Sequence, residues 1–266
     1  MFSVEPPRTK YDVHFAIAGI PVRVHPLFWL VSLVLGAGSF ANPNPPKAVL
    51  MWVCVVFVSI VVHELGHAFA FRYFGQPARI VLYSFGGLAI PHDRNPYGGY
   101  ESSYYREERG PGAKMLIALA GPLAGFTLAA LVLIALIASG RAVEFRPSDS
   151  ILWPLPFEFE FFESMNVNRL VVYLLEVNIL WGVINLLPVF PLDGGQVARE
   201  LLTKFNPHEG LRQSILLSIF AAAGMAFWAF LRMNSTFMAI FFGYLAYVSY
   251  QMLQQISGGY GGGRGW

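Results

Sequence analysis

Apolar and polar positions alternate at two different scales along this chain. Near the start, FAIAGIPVRVHP alternates and reads as a short strand lying against the membrane. Long uninterrupted apolar runs then dominate. They predict spans over about 24–40, 47–74, 114–139, 169–187, 211–231 and 236–256, each compared with the roughly 20 residues that a bilayer core demands. The first run is short for that task. The Asn42–Pro46 stretch, NPNPP, predicts a turn between the first two runs.

Between the second and third runs, ARIVLYSFGGLAIP has strand-type residues on both sides of Gly86-Gly87, which predicts a hairpin or a sharp bend. The segment beyond it, RNPYGGYESSYYREERGPG, reads as a solvated loop. FEFEFFE at Phe157–Glu163 alternates strictly and predicts an edge strand or an interfacial aromatic patch. The expected architecture is therefore an all-α polytopic membrane protein. It has about six transmembrane helices and a small β-hairpin or re-entrant loop, in a single domain over 1–257 with a flexible tail at 258–266.

Composition supports this reading. The chain is 55% hydrophobic and only 13% charged over 266 residues, where a soluble domain carries about 25% charge. A net charge of +2 is too small to suggest nucleic-acid binding. The single cysteine, Cys54, rules out an intramolecular disulfide and a cysteine-based zinc cluster. The first 26 residues lack the pattern of a cleaved signal peptide. With six spans, the side holding both termini carries 13 Lys and Arg and the other side 5. The excess of positive charge predicts cytoplasmic termini, in a cell membrane of bacterial type.

The chemistry sits at the end of the second run. Val61-Val62-His63-Glu64-Leu65-Gly66-His67 carries two histidines one helical turn apart, so that both imidazoles can reach one metal ion. Glu64 is displaced by about 100° around the helix. It can face a water beside the metal, as a general base does. Ionisable groups at membrane depth are costly and mark function. His14 and His25 are isolated and are read as non-ligands.

A catalytic zinc typically takes three protein ligands. The fourth run ends in PVFPLDGG, where Pro188 and Pro191 break the helix. Irregular backbone at membrane depth must line a protein-covered or wet cavity. Asp193 in that stretch is the best candidate for the third ligand, with Asp93 and Glu200 as competitors. Its alternative role is to cap a helix over Gln196–Phe205. Asn178 and Asn185 are candidate donors to an oxyanion, or interhelical hydrogen bonders. Glu176 reads as a structural partner of Arg169, and His92 as part of the surface loop. Gly121 and Gly125 form a small-residue face for helix packing.

Two distant motifs together resemble the site-2 protease family of intramembrane zinc metalloproteases. They are His63-Glu64-Leu65-Gly66-His67 and the run from Asn178 through Gly182, Asn185, Pro188 and Pro191 to Leu192-Asp193-Gly194-Gly195. Ser84-Phe85-Gly86-Gly87 and Ala120-Gly121-Pro122 sit where that family has similar motifs. The resemblance covers about Ala48 to Leu202. It implies one zinc ion per chain, held by His63, His67 and Asp193, with Glu64 as catalytic base and Asn185 near the scissile carbonyl. It also implies that Gly86 and Gly87 line the substrate path, with Asn178 nearby. The implied substrates are transmembrane proteins or signal-peptide remnants in the bilayer. PDZ and CBS domains, common in the family, have no room in this chain. A divalent-metal transporter and a non-catalytic metal scaffold are the competing readings. The clustering of polar groups toward one membrane face argues against the first, and the intact motif against the second.

Overall fold

The computed structural model describes residues 5–36, 45–84, 86–91, 110–145, 157–233 and 235–259. Five helices among them are long and apolar enough to cross a membrane: Pro45–Tyr73, Pro111–Ala138, Met165–Asn185, Gly210–Leu231 and Thr236–Ile256. The protein is thus a multi-pass membrane protein. The first expected span is instead a ten-residue helix, Pro26–Leu35. At 1.5 Å per residue it rises about 15 Å, half of a hydrocarbon core. The expected roles of His92 and Asp93, the loop beyond them and most of the tail fall outside the described residues.

Contacts divide the chain into two compact units. One comprises Met1–Glu108, Ala120–Pro147 and Leu155–Gly182. The other comprises Arg109–Leu119, Ser148–Pro154 and Val183–Trp266.

The first unit holds a four-stranded sheet. Strands β1 (Val13–Ile17) and β2 (Ile20–Val24) form an antiparallel hairpin, turned by Ala18 and Gly19 at positive φ. Helix α1 (Pro26–Leu35) follows, its first turn capped by His25, whose Nδ1 accepts from the Leu27 N–H at 3.2 Å. Helix α2 (Pro45–Tyr73) opens on Pro45 and Pro46, which belong to its first turn and not to a reverse turn. Proline fits there because the first amides of a helix have no partner within it. The chain continues to strand β3 (Ala78–Tyr83), which pairs parallel to β2, and to strand β4 (Gly86–Pro91), antiparallel to β3. The sheet order is β1-β2-β3-β4, so among the described residues β4 is a terminal strand. Gly86 and Gly87 open β4, and the chain reverses just before them, where Ser84 has φ 37°. The expected hairpin is present, with its glycines displaced from the turn into the strand.

Sheet and helix share one core. Ile20, Val22, Val24, Ile80 and Leu82 pack with Phe28 of α1 and Val55, Val56 and Ile60 of α2. Helix α3 (Pro111–Ala138) and helix α4 (Met165–Asn185) each contribute to both units. The expected edge strand is β6 (Phe157–Phe159), paired antiparallel with β5 (Val143–Phe145).

An ion network ties the N-terminal segment to the sheet. The buried Arg23 guanidinium bonds Asp12 at 2.8 Å and Glu5 at 3.2 Å, and Glu5 also pairs with Arg79 of β3. Burial works against the ionised Asp12 carboxyl. Hydrogen bonds from the Thr9 hydroxyl and amide and from Arg23, with the Arg23 charge, outweigh it and hold the group at about 2, below the ordinary 3.8. A depressed carboxyl contributes stability that is present above the unfolded value and lost as pH falls through the folded one. The anchor of residues 5–12 should therefore release between about pH 4 and pH 2. Amide exchange in β1 should accelerate over that window, and Asp12→Asn should remove the pH dependence.

In the second unit, helix α5 (Asp193–Phe205) is short and amphipathic. Helices α6 (Gly210–Leu231) and α7 (Thr236–Gly259) pack on each other. Ser214, Ser218 and Ala222 recur at four-residue intervals on α6 and are buried, as are Phe242, Leu245 and Ser249 of α7. Small residues at that interval let two helix backbones approach closely.

Candidate active site

The buried face of α2 carries Ser59, Ile60, His63, Glu64 and His67. Ser59, His63 and His67 follow at intervals of four, which puts them on one stripe of the helix. The two Nε2 atoms stand 3.2 Å apart. Tetrahedral ligands about 2.0–2.1 Å from zinc are about 3.3 Å from each other, so the imidazoles already have the spacing of a shared ion.

Two close approaches frame the motif. A Cβ built on Gly121 of α3 would overlap the Nε2 atoms of both His67 and His63. One built on Gly87 of β4 would overlap the Glu64 side chain. Only a residue without a Cβ lets α3 lie against the imidazoles and β4 against the carboxylate. The small-residue face expected of Gly121 is thus also a wall of the candidate metal site. Gly66 brings α2 equally close to the Ala120 carbonyl and the Ala124 methyl of α3.

Asp193 is the first residue of α5 and is buried. The cap position belongs to Leu192, so Asp193 is not the N-cap. Paired imidazoles suit zinc, and the absent Cβ at Gly121 leaves room at the nitrogens.

The competitor Glu200 is engaged by Arg199 at 3.0 Å and Lys114 at 3.5 Å. His25 caps α1 and meets Tyr83 edge-on, and His14 bonds the Asp12 carbonyl at 3.2 Å. Asn185 ends α4 and is buried. Asn178 Nδ2 donates to Ser59 Oγ at 2.9 Å and to the Leu174 carbonyl at 2.8 Å, which makes Asn178 a clamp between α4 and the histidine helix. Sequence reasoning passes over Ser59. Its four-residue spacing from His63 is the signal that could have found it. Gly86 lies beside Trp181 of α4.

Two imidazoles at zinc spacing, with a glutamate beside them on a buried stretch of an apolar helix, make a candidate metal centre at membrane depth. The model for peptidase family M50 matches residues 51–231, and the chain belongs to that family. It is 31% identical over 192 residues to "Zinc metalloprotease MJ0392" of Methanocaldococcus jannaschii, covering 71% of this chain and 45% of that protein. It is 29% identical over 197 residues to "Putative zinc metalloprotease Rip3" of Mycobacterium tuberculosis, covering 70% of this chain and 42% of that protein. The chain thus spans less than half the length of the curated relatives it matches. The fold is similar to the solved "Site-2 Protease from Methanocaldococcus jannaschii", with a TM-score of 0.54 and 24% identity, over 91% of this chain and 95% of that one.

Proposed function

We propose that this protein is a zinc-dependent endopeptidase that hydrolyses peptide bonds in or near transmembrane segments of membrane-anchored substrates. The observation that carries the reading is the buried His63–His67 pair at zinc spacing with Glu64 on the same helix, in a chain of family M50. His63, His67 and Asp193 would hold the zinc ion, which supplies Lewis acidity toward water and a carbonyl.

Glu64 takes the proton of the attacking water and passes it to the leaving nitrogen. Asn185 donates a hydrogen bond to the oxygen that gains charge. A substrate helix shields its own carbonyls, so it must unwind before attack. The terminal strand β4, with Gly87 against Glu64, offers main-chain groups that hold the extended form. The charge asymmetry of the chain supports an opening on the cytoplasmic side, with both termini there. Transmembrane proteins and signal-peptide remnants are the substrates this arrangement suits.

The test uses purified protein in detergent with a fusion carrying one transmembrane segment. Cleavage should stop when a chelator strips the metal and return on adding zinc. Cleavage that continues in metal-stripped protein would overturn the proposal.

A further inference from the structure

Beyond the metal-binding residues, a buried serine pair stands behind the segment that delivers Asp193. The chain between α4 and α5, residues 186–192, has no regular structure. Its backbone is tied locally by the Val189 N–H to the Leu187 carbonyl at 2.7 Å and the Leu192 N–H to the Val189 carbonyl at 2.8 Å. It is also tied to α6, where the Phe190 N–H donates to Ser218 Oγ at 2.8 Å. Ser218 Oγ in turn lies 2.8 Å from Ser249 Oγ of α7. Ser218 is 1% exposed and Ser249 fully buried.

The same Phe190 nitrogen is part of the surface on which α5 begins. A Cβ on Gly195 would meet the Val189 carbonyl group and the Phe190 nitrogen, and one on Gly194 would meet the Leu186 and Leu187 carbonyls. The first turn of α5 is therefore seated directly on the irregular backbone, immediately after Asp193. A shift of Phe190 must carry that turn with it.

We infer that Ser218 and Ser249 are positioning residues for Asp193, acting through the Phe190 N–H and the glycine-packed first turn of α5. The inference rests on the reading of Asp193 as a metal ligand. A hydroxyl pair that served only to pack α6 on α7 would affect stability and leave the metal alone. Ser214 provides the control: it is buried on the same helix, but its hydroxyl bonds the Leu211 carbonyl of its own turn.

The experiment measures loss of bound zinc to a competing chelator, in detergent-purified protein, together with thermal unfolding of the metal-stripped form. Ser218→Ala should weaken zinc retention roughly 10–100-fold, as loss of a supporting hydrogen bond does at other metal sites. Ser249→Ala keeps the bond to Phe190 and should weaken retention less. Ser214→Ala should leave retention unchanged. Equal zinc loss in the Ser214 and Ser218 variants would overturn the inference. So would full retention in Ser218→Ala, or, should that variant not fold, full retention in Ser249→Ala. Asp193→Ala tests the underlying reading separately: if it holds zinc as wild type does, the ligand assignment fails whatever the serine variants show.

Discussion

Glu64→Gln should abolish cleavage while leaving zinc bound. The side chain keeps its size and loses its basicity, and a general base is worth about 10²–10⁴-fold in rate. Its surroundings favour a clean result. Glu64 is buried, and the Gly87 backbone fits closely against it. An amide of the same shape leaves that contact undisturbed. The measurements are the zinc-to-protein ratio and turnover of a transmembrane fusion substrate. Zinc at wild-type level with turnover reduced at least about 100-fold is the expected result. Turnover near wild type would remove Glu64 from the chemistry.

Gly121→Ala should be nearly as damaging, by a different route. The added methyl falls on the Nε2 atoms of His63 and His67. Helix α3 cannot retreat easily, because Pro122 is fully buried and Gly66 fits against the Ala120 carbonyl. The imidazoles must leave their rotamers, and overpacking of this kind costs about 1–3 kcal/mol. Zinc retention should fall sharply and activity with it. One helical turn on, a Cβ at Gly125 meets the Asn178 carbonyl at 3.5 Å, an ordinary contact. Gly125→Ala should therefore keep both zinc and activity. Similar behaviour of the two variants would mean that the imidazoles do not depend on this approach.

Much of the site is legible in the sequence because its chemistry is local. Histidines four apart on a helix need no tertiary information, and an aspartate after two helix-breaking prolines advertises a special backbone. The strands are legible in part: alternation marks one N-terminal strand, where the fold has the β1–β2 hairpin, and it marks β6. The parallel pairing of β2 with β3 is not, because nothing near either strand records its partner. Likewise the sequence marks Gly121 as a packing residue, but only the fold reveals that it faces imidazoles. Ser218 and Ser249 look like two more small residues in apolar helices. The meaning of Ser218 depends on a backbone N–H 28 residues away in the chain. The first apolar run misleads for a plainer reason: α1 is apolar enough to enter a bilayer and too short to cross it.

The parallel β2–β3 pairing carries a consequence for biogenesis. Val22 and Ile80 meet across a stretch of chain that includes all of α1 and α2. Such a pairing gains nothing until the intervening segment has found its place, and its closure entropy makes it late. Among the described residues β3 is the strand that pairs with β4, so the sheet that carries the Gly87 wall beside Glu64 is complete only after that closure. A newly synthesised chain thus holds its histidines and glutamate before it holds the strand beside them. Closing of the sheet is therefore the step that completes the surroundings of Glu64.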